Sequence, residues 1–434
     1  MVALSQACEG GKKRWYTSTL ELQLASLEFC TACRSIPTLD MCVKDETPRS
    51  LWAPGEAQTG HFTARSRRVP VVRAVSLTWY LPMSVLIESA ATELWASLEV
   101  LRVFGTVSAG CLASVVWPKG LKHLTLIADM ELPATLRWPA SLQILQLGDF
   151  NHPIAGVAWP TSLQQLSFGY RFNHPIAGVA WPASLLRLEF DSDFNHPIAG
   201  VAWPASLHML SFGFGFNHPI AGVAWPASLL RLEFGDLFNQ PIAEVAWPAS
   251  LQKLEFKGHY NQPIAGVAWP ASLQQLSFGR DFNQPIAGVA WPASLQHLSF
   301  GYGFNQPIAG VAWPASLQQL SFGLDFNQPI HGVAWPASLQ QLSLGCGFNH
   351  PIAGVVWPAS LQHLSLGDQF NQPIVGVVWP ACLRQLSFGR DFNQPIDGAA
   401  WPASLQQLSF GRDFNGDFNQ PIDGVAWPAS LQQV

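Results

Sequence analysis

The residues best suited to chemistry fall in two groups. Near the amino terminus, Cys30-x-x-Cys33 has the spacing of half a tetrahedral zinc site, and only Cys42 with Cys8 or His61 could complete it. Further on, His152, His174, His196 and His218 recur every 22 residues, and imidazoles at a fixed spacing could hold a transition metal. That slot also holds His350, but in eight other places it is Gln, a poor ligand. The slot therefore works without metal, as a surface or hydrogen-bonding position. The cysteines read as free thiols for want of a clear fourth ligand. Ser and His abound, yet no G-x-S-x-G, H-E-x-x-H, Walker A or G-x-G-x-x-G following a strand occurs. Phe212-Gly213-Phe214-Gly215 ends an expected strand, and Asp191 with Asp193 sits in one variable loop. The expectation is no catalytic site, no cofactor and no metal.

Charge narrows the partners. Of 434 residues only 12% are charged, and the net is −5. Residues 142–434 carry 9 Lys and Arg against 16 Asp and Glu, a net of −7. Nucleic acid, whose phosphates attract basic surfaces, is not the expected partner. No apolar run approaches the roughly 18 residues of a membrane helix, and the start of the chain has basic residues but no apolar signal core. Neither a membrane nor secretion is expected, and the cytoplasm is the default. The composition is odd in another way: 19 Trp, 35 Gly and 34 Pro stand beside 5 Tyr and 5 Met. Bias of this kind points to repetition.

The elements that position these residues are repeats. Phe150, Phe172, Phe194 and their successors to Phe392 are spaced by 22 residues, with Tyr260 in one slot, and Asn follows each. Trp159 to Trp401 keep the same step, and another copy starts at Phe418 after four extra residues. One unit, residues 163–184, reads LQQLSFGYRFNHPIAGVAWPAS, with Pro175, Gly178 and Pro182 in its second half. Each Pro lacks an N–H donor and disfavours helix at the residue before it, so a helical hairpin does not fit. From Gln165 onward, polar and apolar residues alternate up to Gly169, as in a short half-buried strand. One strand per fixed-length coil gives parallel strands stacked on identical neighbours.

The pattern resembles the leucine-rich repeat, and more closely its FNIP variant. Ser162-Leu163-x-x-Leu166-x-Phe168-Gly169, then Phe172-Asn173-His174-Pro175-Ile176, Gly178 and Pro182-x-Ser184-Leu185 carry the likeness. Trp181 departs from it, since the FNIP pattern commonly has an aliphatic residue there. The resemblance covers roughly residues 94–434. It implies a repeat solenoid with a curved parallel β-sheet on the concave side, one short strand per coil and little or no helix on the convex side. It implies no particular chemistry.

Within a coil, Leu163, Leu166, Phe168, Phe172, Ile176 and Val179 are expected to point inward, each worth roughly 1.5–3 kcal/mol when buried. Trp181 reads as filling the back of the core beside Pro182, against the alternative of an aromatic ladder for sugars or bases. The Asn column (Asn173, Asn195, Asn217, Asn239, Asn261, Asn283, Asn305 and Asn327 among others) reads as a buried ladder that bonds backbone groups lacking strand partners.

Invariant slots specify the fold, so specificity belongs to the variable ones. These are the third strand position, the fifth where it departs from Ser, and two loop slots after the strand. Charge there clusters between residues 187 and 257. The expected protein-binding residues are Arg187, Glu189, Met209, Arg231, Glu233, Lys253, Glu255, Lys257 and His297. The function read from this is a non-catalytic protein-interaction scaffold, binding an unidentified protein on the concave face and adjacent loops. A sugar or small ligand along the aromatic rows, or a recently expanded array with no selected partner, are the alternatives. The sequence ends within an expected strand, so self-association through an uncapped last coil is also an expectation.

Residues 1–93 form a divergent segment. Residues 20–29 alternate like a strand of a degenerate coil, and 44–70, rich in Pro, Thr and Gly with Arg65-Ser66-Arg67-Arg68, read as a linker.

Overall fold

A computed structural model describes residues 98–104, 106–410 and 418–433, together with the backbone of the strands Ser5–Glu9, Lys12–Thr17, Leu39–Val43 and Ala74–Trp79. Residues 20–29, 44–70, Cys30, Cys33 and His61, on which several expectations rest, lie outside the described residues. The chain divides into two compact units, Met1–Asp191 and Ser192–Val434.

In the first unit, the strands Lys12–Thr17, Leu39–Val43, Ala74–Trp79, Val100–Val103, His123–Leu126, Ile144–Leu147, Gln165–Phe168 and Arg187–Phe190 pair in sequence order, all parallel. Ser5–Glu9 adds to Lys12–Thr17 in the antiparallel sense. The parallel ladder thus runs on past the point where the repeat pattern fades at residue 93. A six-residue helix, Ala109–Ser114, is the helical element among the described residues, and the Ser108 hydroxyl accepts from the Cys111 N–H at its start.

In the second unit, ten short strands run from Met209–Ser211 to Gln407–Ser409, each parallel to the next and in register at the same repeat position. Each unit is therefore a parallel β-solenoid built of coils of about 22 residues.

One coil shows why the sequence closes on itself. After the strand His297–Ser299, three tight turns bring the chain round. They are closed by Phe304 N–H to Gly301 O at 3.3 Å, Val311 N–H to Ile308 O at 3.3 Å, and Leu317 N–H to Pro314 O at 3.1 Å. The Pro lacks a donor but accepts at the start of the last turn. Gly310 sits at φ +74°, a left-handed conformation that a Cβ disfavours. Where the equivalent residue is Glu244, the turn still closes, Val245 N–H to Ile242 O at 3.2 Å, with no positive φ. A different turn type serves there.

The strand-end glycine answers a different demand. A Cβ on Gly301 would lie 1.9 Å from the carbonyl oxygen of Gly279 in the preceding coil. The coils approach so closely at this point that no side chain fits.

The interior is made of columns. In the coil after Gln275, Leu276, Phe278, Phe282, Ile286 and Val289 are all buried, at 0–4% exposure, as are their counterparts on either side. Phe282 stacks on Phe304 at 6.1 Å and 5° between ring planes, and Phe278 lies 4.2 Å from Phe282 within its own coil. Burial of these five side chains in each coil, at roughly 1.5–3 kcal/mol each, is the main stabilising contribution.

Candidate functional site

The strand residues alternate between this interior and solvent. The third and fifth repeat positions face outward, and the structure places every variable strand residue named above on that outward side or at its margin.

In the first unit, Arg187 lies on the last strand and donates from Nε to Glu189 Oε1 at 2.8 Å. In the second, Met209, Arg231, Lys253, Gln275 and His297 follow one another at the same register position, one strand apart. Ser211, Glu233, Glu255 and Ser277 form the next outward column. Glu233 and Thr125 are the buried polar side chains among the described residues, and Glu233 is the charged one. Glu233 accepts from Arg231 and lies 3.5 Å from Lys257 Nζ, while Lys253 Nζ bonds Glu255 Oε2 at 2.9 Å. Burial alone would push the Glu233 carboxyl up. The bond from Arg231 and the charges of Arg231, Lys257 and Lys253 together outweigh that and hold it below the usual carboxylate value.

Lys257 occupies a slot that is Gly in most coils. The next residue, Gly258, sits at φ +46°. On the loop beyond, His259 Nδ1 meets Asp281 Oδ2 at 2.5 Å, and this bond is the main reason the Asp281 carboxyl is held low. The loop slots also expose large apolar side chains: Phe214, Leu237, Tyr302 and Leu324 in the second unit, and Tyr170 in the first.

The Asn column bonds backbone of the adjacent coil. Asn283 Oδ1 accepts from Asn305 N–H at 2.9 Å, Asn305 from Asn327 at 2.9 Å, and the same bond recurs at Asn195, Asn217, Asn239 and Asn261. In the first unit, Asn173 N–H donates to Asn151 Oδ1 at 3.0 Å. The Asn residues are half-buried or exposed rather than buried, because the column runs along a turn at the surface. The ladder even crosses the coil with four extra residues, where Asn419 N–H reaches Asn393 Oδ1 at 3.3 Å.

The geometry also explains why His and Gln exchange in the next slot. His218 Nε2–H donates to Asn195 O at 3.0 Å, and Gln328 Nε2 donates to Asn305 O at 3.1 Å. Both side chains put a nitrogen donor at the same reach, so imidazole here serves as a donor. Among the described residues no three His, Cys, Asp or Glu side chains gather as metal ligands would.

One column went unread in the sequence. The Ser before each strand's first Leu donates to a Leu carbonyl one coil back: Ser316 to Leu295 at 2.7 Å, Ser338 to Leu317 at 2.6 Å, Ser404 to Leu383 at 2.6 Å. Its recurrence before Leu in nearly every copy was the available signal. Cys382 breaks the column and is exposed.

The Trp residues stack on one another at the back of the coils, Trp291 on Trp313 at 6.5 Å and 11°, Trp159 on Trp181 at 6.5 Å and 13°. Most are half-buried, and each indole N–H from Trp117 to Trp401 is enclosed without a hydrogen-bond acceptor among the described residues. Trp313 meets Phe322 edge to face at 6.4 Å and 76°. A shallow groove of about 420 Å³ lies on this side, lined in part by His331, Trp335, Val356 and Trp357. No described helix is long and apolar enough to cross a membrane.

Comparison with known proteins places these observations. The family model "FNIP Repeat" matches residues 150–190, 216–258, 260–303, 304–347 and 348–391. Among solved structures, CroV588, described as a novel circular LRR protein, is 30% identical, with a TM-score of 0.71 over 99% of this chain and 70% of its own. A chain of the Toll–Spatzle complex from Drosophila is 14% identical, with a TM-score of 0.51 over 79% of this chain and 51% of its own, a likeness of fold alone. No curated protein sequence matches.

Proposed function

This chain belongs to the FNIP repeat family of leucine-rich-repeat-like proteins, and from that premise we propose that it is a non-catalytic scaffold that binds another protein through its outward strand face and adjoining loops. One observation carries the reading. The interior columns are nearly the same residue in coil after coil, whereas the residues that vary are outward ones: Met209, Arg231, Lys253, His297 and the exposed loop residues Phe214, Tyr302 and Leu324. Strand-face side chains on a rigid parallel ladder hold fixed spacings at little entropic cost, which suits recognition of an extended surface.

The aromatic rows support a small-ligand role less well. Trp and Phe faces stack on their own kind in the next coil, so the rows offer ring edges where a sugar would need a face. The free Cys111, Cys346 and Cys382 fit a reducing compartment such as the cytoplasm.

Photo-crosslinking in the native cell tests the proposal. A benzophenone amino acid is placed at Gln319 on the strand face and, separately, at Ala312 beside Trp313. The expected result is a discrete crosslinked protein from Gln319 and none from Ala312. Equal products from both positions, or none from Gln319, would overturn it.

A further inference from the structure

We propose that the partner presents a carboxylate side chain, from an acidic segment of protein, to Arg231 and Lys253. This rests on the scaffold reading above and adds the chemistry of the partner.

The argument begins with register. Arg231 pairs with Lys253, and Glu233 with Glu255, on adjacent parallel strands. Neighbouring strands lie about 4.8 Å apart. Each strand therefore sets like charge beside like charge, an arrangement that costs stability in a sheet. Exchanging the two residues on one strand would have alternated the signs.

The two columns are not compensated equally. On the anionic side, Glu233 has a second cation, Lys257 Nζ at 3.5 Å, beyond its bond from Arg231. On the cationic side, the flanking residues in register are Met209 and Gln275, both uncharged. The loop anions Asp236 and Asp281 follow the carboxyl ends of the strands Arg231–Phe234 and Gln275–Ser277, and Asp281 is bonded to His259. Arg231 and Lys253 thus share the two carboxylates of their own strands with Lys257.

Both cations keep exposed surface, 43% for the Arg231 side chain and 26% for Lys253. Arg231 contacts Glu233 through Nε and Nη2, which leaves other guanidinium donors for a second acceptor. A carboxylate has two oxygens and can bridge cations on adjacent strands, relieving their repulsion as it binds. A basic partner would meet three cations and two carboxylates already bonded. Charge complementarity therefore selects an acidic one, although the whole chain carries −5 and by net charge would prefer a basic one.

The test uses the full chain with fluorescein-labelled hexaglutamate and hexalysine peptides, read by anisotropy at about 50 mM salt. Hexaglutamate is expected to bind, and Arg231→Gln with Lys253→Gln to weaken it about tenfold or more. Arg280→Gln with Arg390→Gln, which removes equal charge elsewhere in the same unit, is expected to leave binding unchanged. Lys253→Gln alone serves if the double variant does not fold, with a loss of about threefold or more expected. Binding of hexalysine only, or equal loss in both double variants, or no loss in either, would overturn the proposal. The Gln319 crosslink separates the two readings: with it present and hexaglutamate unbound, the acidic partner is wrong and the scaffold stands. With no crosslink at all, the scaffold itself fails.

Discussion

Single residues that break a column show what the column is for. Tyr260 stands where the other coils have Phe. Its ring stacks at 6.0 Å on Phe238 and 6.1 Å on Phe282, but its hydroxyl is fully buried with no partner among the described residues. Burial also drives its pKa far up. Tyr260→Phe removes an orphaned hydroxyl and keeps the ring, so the variant should be more stable by about 1 kcal/mol, measured by urea unfolding. Loss of stability would mean that the hydroxyl is bonded after all. Cys382 is the complementary case, since a thiol donates weakly where its neighbours in the column have Ser. Cys382→Ser should restore the bond to the Leu361 carbonyl and raise stability by about 0.5–1.5 kcal/mol. An unchanged midpoint would show that this carbonyl is already satisfied. Neither gain could be read from the sequence alone. Periodicity showed which side chains enter the core, because burial follows from the alternation around Leu166 and Phe168. It did not show the partner of each Ser or the half-exposed setting of each Asn. Those depend on how far one turn is offset from the next, a distance that only backbone geometry fixes.

At the scale of the strand, the outward face holds both the charge and its pH dependence. Glu233 has a folded-state pKa below its usual 4.5. A depressed carboxylate contributes stability that is fully present above the unfolded pKa and is lost as pH falls through the folded one. Thermal stability should therefore decline as pH drops below about 4.5, and part of that decline should vanish in Glu233→Gln. At pH 7 the same variant should cost about 1–2 kcal/mol, because a bond between charged groups becomes a neutral one. Parallel acid profiles for the two proteins would remove Glu233 from the account. The charges of this face were legible in the sequence and so was their clustering. What the sequence could not reveal was that Glu233 is buried while Glu255 remains partly open, with Lys257 reaching Glu233 from the adjoining coil. The strands of residues 12–79 were equally hidden, because a parallel ladder needs backbone groups and tolerates side chains that follow no repeat.

Over a whole unit, each coil touches chiefly its neighbours, so stability is close to a sum of coil and interface terms. A defect should stay local. Gly301→Ala places a Cβ against the Gly279 carbonyl and must separate the two coils there. Hydrogen exchange should quicken most in residues 275–323 and least in 363–409, as read by peptide-resolved mass spectrometry. A uniform increase across the second unit would show cooperativity longer than one interface. Removal of a complete coil is a gentler change. In a variant lacking residues 304–325, Phe282 would meet Phe326 where it had met Phe304, and every column would close on an equivalent residue. That variant should keep its β-sheet circular dichroism and melt cooperatively, and loss of the cooperative transition would show that the coils are not interchangeable.

The Asn bond that survives four extra residues, Asn419 to Asn393, carries this tolerance beyond the laboratory. Similar coding repeats misalign readily when chromosomes recombine, and each in-phase exchange removes or adds whole coils. Where every coil is a fit neighbour for every other, such products fold. The number of coils is then open to drift or selection within a population, and the outward face can lengthen by whole strands without any new side chain.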